Sequence, residues 1–368
     1  MGIKRFEAKL AKFGESLYKE VIYSGALSRK PKTAGKLLLN MKNGTLHVSN
    51  NEFDLKAHDK NDFLRYQLQL DYNVKAVNKD WLYFLDEILP DKDTQKTLQQ
   101  SLGSLFIRGM SLSKMVLLYG TGANGKSVIF DVINGLLGKD LVSNYSLNGL
   151  TDSKGYNRAK IKDKIVNFAS DIDLSKIDIG IMKTLASGEQ IEARLPYKEP
   201  FIMEDYAKCV FNLNDISTAK IEKTEGFYRR FMFVPFNITI PENKQDAMLA
   251  QKLLHNKEGI LNWLLDGAMA VLKNGSIYEC QESQDFMLKF REQPTPFEKF
   301  LLNYQVKNDM QNTILSSVLY EYYKDMCEKD SVKAVSQISF SKQLGRQGYK
   351  KSDSRSSKGV QWEVSLTS

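Results

Sequence analysis

The residues best placed to do chemistry run from Gly120 to Arg230: a glycine-rich segment, two acids, an asparagine and two arginines. Gly120-Thr121-Gly122-Ala123-Asn124-Gly125-Lys126-Ser127 fits the pattern G-x-x-x-x-G-K-[ST]. Its chemistry is phosphate binding. Glycines let backbone N–H groups curl round a phosphate chain, and a helix N-terminus adds positive potential. The Lys126 ammonium reaches β- and γ-phosphates, and the Ser127 hydroxyl is offered to Mg²⁺. Asp171 and Asp173 end a later apolar run. A carboxylate there can hold Mg²⁺ or its water and polarise an attacking water; Asp171 is favoured for the metal side, with Asp173 assisting. Asn214 closes a further apolar run, where an amide can sense a γ-phosphate or orient water. Arg229 and Arg230 precede another such run. Paired arginines suit a finger that stabilises transition-state charge across a subunit boundary. Each feature has a plainer reading, from a solvent-facing strand end to a salt-bridged strand entrance.

These groups need strands and helices to carry them. Met115 to Tyr119 reads as a buried strand, and Val128, Ile129, Val132, Ile133 and Leu136 follow at helical spacing. Lys164 to Asp173, Ala207 to Asn214 and Phe231 to Phe236 supply three more apolar strands. Between them, the stretch from Ile181 passes from helix to a β-hairpin. Arg194, Tyr197 and Lys198 stand near its turn, and a basic, aromatic tip of that kind can hold a nucleic-acid backbone. Upstream, Trp81, Leu82, Phe84, Leu85, Ile88 and Leu89 form one apolar stripe; Leu98, Leu102, Leu105 and Phe106 form the next. Both read as core.

The expected organisation is a small docking or collar segment over 1–75, a helical region over 76–114 and a motor over 115–271. A linker over 272–296 leads to a last domain over 297–368. Within the first segment, Phe6 to Ile22 looks helical, Ser28 to Thr33 is basic, and Lys36 to Val48 looks like a hairpin turning at Asn43-Gly44. The last domain reads as three helices (Phe297–Leu302, Leu315–Met326, Ser336–Arg346) and two strands around the polar loop Ser352–Gly359, a winged-helix pattern. Between Lys333 and Lys358 seven basic residues stand against one acid, Asp353. Lys342, Arg346, Lys350 and Lys351 are the candidate contacts to a DNA backbone.

The bulk numbers set limits. The chain has 368 residues, a net charge of +8 and 42% hydrophobic residues. It can build more than one core, and its basic balance permits a polyanionic partner. No apolar run approaches a membrane span, and no apolar signal region opens the chain, so a cytoplasmic protein is expected. Three cysteines and three histidines, far apart, exclude a disulfide framework and a Cys/His zinc module.

The ordered set Gly120–Ser127, Ala169-Ser-Asp-Ile-Asp173, Phe211-Asn-Leu-Asn214 and Tyr228-Arg-Arg230 resembles the superfamily 3 helicases, an AAA+ branch. The closest likeness is to the phage, plasmid and poxvirus-type primase-helicases. The spelling Gly-Ala-Asn-Gly-Lys-Ser and the run Met182 to Arg194 are similar to that group. The upstream segments Phe84 to Asp91 and Gln99 to Ser104 look like the helical region before the motor there. The resemblance covers 80–270 well and 36–75 loosely. It implies an α/β fold: an AAA+ P-loop ATPase core with an N-terminal helical collar and a C-terminal winged-helix-like domain. It further implies ATP and Mg²⁺ at Gly120–Ser127, Asp171 and Asp173 as the acidic motif, Asn214 as sensor, and Arg229 or Arg230 as finger. Arg194 to Lys198 would lie on a pore hairpin. Family members form rings, usually hexameric, and move 3′ to 5′ on DNA. Relatives often hold Glu where this chain has Asp171 and Asp173.

The function so implied is an ATP-dependent DNA helicase for replication of a phage or mobile element in a bacterial host, acting on single-stranded and forked DNA. It could be the motor half of a primase-helicase, with the primase or polymerase in another chain or upstream. Nothing in the sequence resembles a primase's acidic constellation. The alternative is an ATP-switched, origin-binding initiator without processive unwinding.

Overall fold

Asparagine and aspartate before an apolar stripe favour a helix start, and the chain uses them so. The structure, a computed structural model, describes residues 10, 13–14, 16–17, 37–49, 52–64, 66–108, 110–170, 177–214, 224–330, 332, 334–352 and 359–367. They fall into two units: Met1–Tyr72 with Ile107–Met110, and Asn73–Phe106 with Ser111–Ser368.

In the first unit, β1 (Leu38–Met41), β2 (Gly44–Ser49) and β3 (Glu52–Lys56) form an antiparallel meander. Met41 pairs with Gly44, so the turn is Lys42-Asn43 and lies one residue before the expected Asn43-Gly44. Gly44 has φ 150°, and a Cβ there would sit 2.3 Å from the Lys56 carbonyl oxygen. The close approach of β3, a strand the sequence reading did not include, is what requires glycine. Of the helical pattern Phe6–Ile22, residues 10, 13, 14, 16 and 17 are helical; the basic stretch Ser28–Thr33 lies outside the described residues.

The second unit opens with α1 (Lys79–Ile88) and α2 (Lys92–Gly103), capped by the side chains of Asn78 and Asp91. The expected stripes are buried through Trp81, Phe84, Leu85 and Ile88, then Leu98 and Leu102, whereas Leu82 is exposed. Next come β4 (Met115–Tyr119), α3 (Lys126–Leu137), β5 (Val142–Ser143), α4 (Leu147–Leu150), α5 (Tyr156–Ala159) and β6 (Val166–Ser170). After them stand α6 (Ile179–Ser187), β7 (Ile191–Ala193), β8 (Phe201–Met203), β9 (Lys208–Leu213), α7 (Glu225–Tyr228) and β10 (Phe231–Pro235). Five of these strands form one sheet in the order β10-β4-β9-β6-β5, and every pairing in it is parallel. β7 and β8 form a separate antiparallel hairpin.

A parallel sheet leaves two different edges. At the carboxyl edge lie the loops after β4, β6 and β9. At the amino edge lies the approach to β10, where Arg230 accepts from Met115 N–H at 2.7 Å through its carbonyl.

Helices α8 (Leu249–Leu253), α9 (Lys257–Asn274) and α10 (Gln281–Glu292) complete the cover. α9 meets α2 backbone to backbone. A Cβ on Gly267 would stand 2.2 Å from the Gln99 carbonyl oxygen, and one on Gly103 2.3 Å from Ala268 N. The buried Asn78 ties the start of α1 to the start of α9: its Nδ2 donates to the carbonyls of Leu253 (2.8 Å) and Asn256 (3.0 Å). Residues 272–296 are not an open tether. Between Gly275 and Pro294 they hold α10, whose Met287 and Phe290 are buried in the core beneath the sheet and whose Phe286 packs on Tyr119 and Phe233. Glycine and proline mark only the ends of this stretch.

The last stretch gathers its own apolar cluster, with Phe297, Phe300, Tyr323, Phe340 and Trp362 at its centre. It comprises α11 (Pro296–Asn303), β11 (Lys307–Asn308), β12 (Ile314–Leu315), α12 (Ser316–Lys329), α13 (Gln337–Arg346), β13 (Gln361–Trp362) and β14 (Val364–Ser365). β11 pairs with β14 and β12 with β13, both antiparallel; Lys351 bridges Trp362. No helix among the described residues is long and apolar enough to cross a membrane.

Candidate active site

The glycine loop follows β4 directly and ends where α3 begins, so its geometry comes from the strand–helix joint. Gly122 (φ 115°), Ala123 (φ 49°) and Gly125 (φ 81°) take left-handed backbone, which turns successive N–H groups inward. The loop is fixed from behind. Ile240 N–H donates to the Ala123 carbonyl at 2.7 Å, and Asn124 Nδ2 to the Phe236 carbonyl at 3.3 Å. Lys126 is only 4% exposed; its Nζ donates to the Gly120 carbonyl (2.7 Å) and to Asn124 Oδ1 (2.6 Å). The buried Lys126 Nζ is thus directed at the loop by a backbone and an amide oxygen, a setting suited to an anion.

A cavity of about 730 Å³ opens on this loop. Gly122 to Ser127 form one wall, and Ser170, Asn212 and Asn214 stand at the carboxyl ends of β6 and β9. Phe84 and Glu87 of α1 close a second side, and the segment Ile238–Leu249 a third. Its volume falls within the range usual for small-molecule and cofactor sites. Phe84, read as core, is core and cavity wall at once. The Ile238–Leu249 wall was missed because it has neither periodicity nor a motif.

The expected site residues divide in place. Gly122 to Ser127 and Asn214 share the cavity edge, whereas Gly120 and Thr121 do not line it. Asp171 and Asp173 lie outside the described residues; Ser170, the residue before Asp171, faces the cavity. Among the described residues, no cluster of three or more His, Cys, Asp or Glu side chains could hold a metal ion. Ser127, exposed at the loop's rim, fits a hydroxyl ligand to Mg²⁺.

Arg229 and Arg230 fall at the amino edge. Phe231 pairs with Met115, so the arginines flank the start of β4, while the glycine loop follows its end. At about 3.3 Å per residue, the strand separates the two edges by about 16 Å, farther than an arginine side chain reaches. Arg229 is exposed; Arg230 is half-buried, and its Nε has no hydrogen-bond partner among the described residues.

The hairpin β7–β8 carries its basic tip outward. Tyr197 is fully exposed, with φ 59°, and Lys198 is exposed beside it. Arg194 also shapes the tip, because its Nε donates to the Lys198 carbonyl at 3.0 Å and so closes the turn. The buried Arg158 braces the hairpin's base, donating to the carbonyls of Glu192 (2.8 Å), Leu150 (2.7 Å) and Asp152 (3.1 Å). Burial pushes its guanidinium pKa down. The sequence reading missed this residue, since a lone arginine in a helix gives no signal.

In the last domain Lys342, Arg346, Lys350 and Lys351 are all exposed. Lys342 and Lys351 line a groove of about 560 Å³ with Ser316, Ser341 and Trp362, and the Lys351 ammonium lies 5.5 Å from the Trp362 ring centre.

Three comparisons bear on this arrangement. Residues 118–230 match a family of unknown function, DUF5906, and residues 15–90 match the D5 N terminal like family. A protein of Acanthamoeba polyphaga mimivirus named "Putative helicase L207/L206" is 27% identical over 269 residues. That match takes in 67% of this chain and 28% of the mimivirus protein, so the chain spans little more than a quarter of that relative's length. Among solved structures, two apo forms of the NrS-1 C-terminal region align. One has a TM-score of 0.46 at 11% identity, over 91% of this chain and 97% of that one; the other has 0.42 at 14%, over 95% and 98%. The fold is mixed α/β, built on a parallel five-stranded sheet. The D5-type match and the mimivirus relative together support a primase-helicase-type superfamily 3 family.

Proposed function

We propose that the chain is an ATP-dependent DNA helicase motor for replication of a phage or mobile element, built on an AAA+ core and working as a ring, usually a hexamer, around single-stranded DNA. The observation that carries this is the split of one site across two edges of one sheet. Lys126 and the loop N–H groups sit in the cavity, whereas Arg229 and Arg230 stand about 16 Å away at the other edge. Arginines so placed serve a neighbour's nucleotide, which a ring provides.

In this reading Lys126 and the loop hold the β- and γ-phosphates of ATP. Ser127 and Asp171 hold Mg²⁺, with Asp173 beside them, and the metal neutralises charge on the phosphates. Asn214 senses the γ-phosphate. Tyr197 and Lys198 at the hairpin tip grip the strand by stacking and charge, and motion runs 3′ to 5′. The domain over 297–368 acts as a winged helix, with Lys342, Arg346, Lys350 and Lys351 on the DNA backbone.

The test is ATP hydrolysis as a function of protein concentration, together with strand displacement on forked DNA tailed at either end. Hydrolysis per chain should climb with concentration, and the 3′-tailed fork should open. A rate independent of concentration in a proven monomer would sink the ring. Hydrolysis without displacement on either fork would favour an ATP-switched initiator.

A further inference from the structure

The arginine pair follows a helix too short to stand alone. α7 has four residues, Glu225 to Tyr228, and a single helical turn is unstable in water without tertiary support. Part of that support is apolar, since Phe227 and Tyr228 are buried. Phe227 meets Phe231 at 5.0 Å between ring centres, and Tyr228 meets Phe290 of α10 edge-on at 5.6 Å. The backbone of the pair is fixed as well. Arg229 N–H donates to the Glu225 carbonyl (3.0 Å) and Arg230 N–H to the Phe227 carbonyl (3.1 Å). Just beyond, Lys114 Nζ donates to the Phe231 carbonyl at 3.1 Å.

Arg291, in the last turn of α10, reaches this helix from 66 residues further along the chain. Its Nη1 donates to Glu225 Oε1 at 2.7 Å, and its guanidinium lies over the Tyr228 ring, 5.0 Å from the centre. Glu225 and Tyr228 stand three apart and so share one face of the turn. One side chain thus holds both ends of α7, by charge at its first residue and by a cation–π contact at its last. The gain in stability is small. The Glu225 side chain is 77% exposed, and an ion pair so open to water contributes little. What the clamp fixes is direction. A guanidinium is planar and pre-organised, so it sets the roll of the turn about its axis, and with it the direction in which Arg229 and Arg230 leave.

We infer that Arg291 is the positioning residue of the arginine pair: it holds α7 so that Arg229 or Arg230 points across the subunit boundary towards a neighbour's nucleotide. The inference rests on the trans-acting reading above. Arg291 itself touches no nucleotide. Its partners Glu225 and Tyr228 lead into the start of β10 at the amino edge, whereas its own chain's glycine loop follows the far end of β4. Losing Arg291 therefore leaves its own cradle intact and disarms the next chain's site. The interaction lost is one made to the transition state, so kcat carries the loss and KM does not. A residue that merely packed the sheet would damage the chain that carries it.

The experiment uses the full chain with MgATP, at a protein concentration where hydrolysis per chain has levelled off. Arg291→Ala, Arg291→Lys and Glu225→Lys are compared, alone and mixed in equal amounts with Lys126→Ala. kcat, KM and thermal unfolding are measured. Arg291→Ala should lower kcat about tenfold at unchanged KM, the scale for losing an orienting partner. Arg291→Lys keeps the charge without the planar fork and should recover part of the loss. The mixtures decide. In a head-to-tail ring the Lys126→Ala chain offers a sound arginine pair, and the Arg291→Ala chain a sound cradle. A random mixture then holds about one intact site in four, so its rate should reach about a quarter of the wild type, several times the mean of its two components. A fall in kcat without that rescue overturns the inference, because the damage then lies in the chain that carries the substitution. So does an unchanged kcat, or a rise in KM or a loss of unfolding temperature that accounts for the fall. Should Arg291→Ala fail to fold, Glu225→Lys decides, since its side chain is exposed and the substitution turns the anchor into a repulsion. A fall in kcat that the Lys126→Ala chain rescues sustains the inference; an unchanged kcat, or a fall without rescue, overturns it. Arg229→Ala and Arg230→Ala, mixed with Lys126→Ala in the same way, separate the two levels. If neither is rescued, the trans-acting reading itself falls; if one is rescued and Arg291→Ala is not, only the role of Arg291 falls.

Discussion

The two edges of the central sheet were built to different standards. The carboxyl edge is tied down by its own chain: Lys126 is bound by two oxygens, Asn124 by the Phe236 carbonyl, and Ala123 by Ile240. The amino edge leaves Arg229 exposed and Arg230 with an Nε that has no partner among the described residues. A self-sufficient cradle and an unfinished arginine pair, about 16 Å apart, suit a site completed by another molecule. On the proposed reading, burial and hydrogen bonding tell a residue that works in its own chain from one kept for a neighbour.

The largest effect that would sharpen this contrast is at the cradle. Lys126→Ala should remove nearly all hydrolysis, and adding wild-type chain should not restore the altered subunit's site; restoration would make the cradle a shared site as well. Next come Arg229→Ala and Arg230→Ala. One of them should lower hydrolysis by about 10³-fold or more, the scale of a lost arginine finger, while nucleotide affinity holds. In mixed rings the defect should appear at the neighbouring subunit's site; a defect confined to the altered subunit breaks the comparison. A middle-sized effect is expected at the hairpin tip. Tyr197→Ala should weaken single-strand binding by about 10-fold, the worth of one stacked base, and leave DNA-free hydrolysis intact. The smallest concerns the last domain: Lys351→Ala should flatten the log–log salt dependence of DNA binding by about one unit at most. No change in slope would remove that lysine from the phosphate contacts.

Much of the carboxyl edge was legible because it is local. Gly120 to Ser127 carries its strand, turn and helix within one short stretch, and the positive φ values fall where the glycines are, with Ala123 the exception. The parallel strands were legible as apolar runs, but their order was not, since it depends on which runs pair in space. The third wall of the cavity arises from a loop after β10 folding back onto Ala123, a long-range contact without a sequence period. Arg291 was overlooked for a similar reason, since nothing in the sequence joins it to Glu225 and Tyr228. Residues 272–296 misled because proline and glycine punctuate them, whereas Phe286, Met287 and Phe290 carry the packing.

Tyr197 combines two features that rarely meet. Its backbone is left-handed and its side chain is fully exposed. A non-glycine residue held there costs the fold about 1–2 kcal/mol, and an exposed ring returns little of it. Thermal robustness and reach therefore pull on this position in opposite directions. A glycine would make a firmer protein with a blunter tip, so a variant selected only for heat resistance would be expected to lose this tyrosine early.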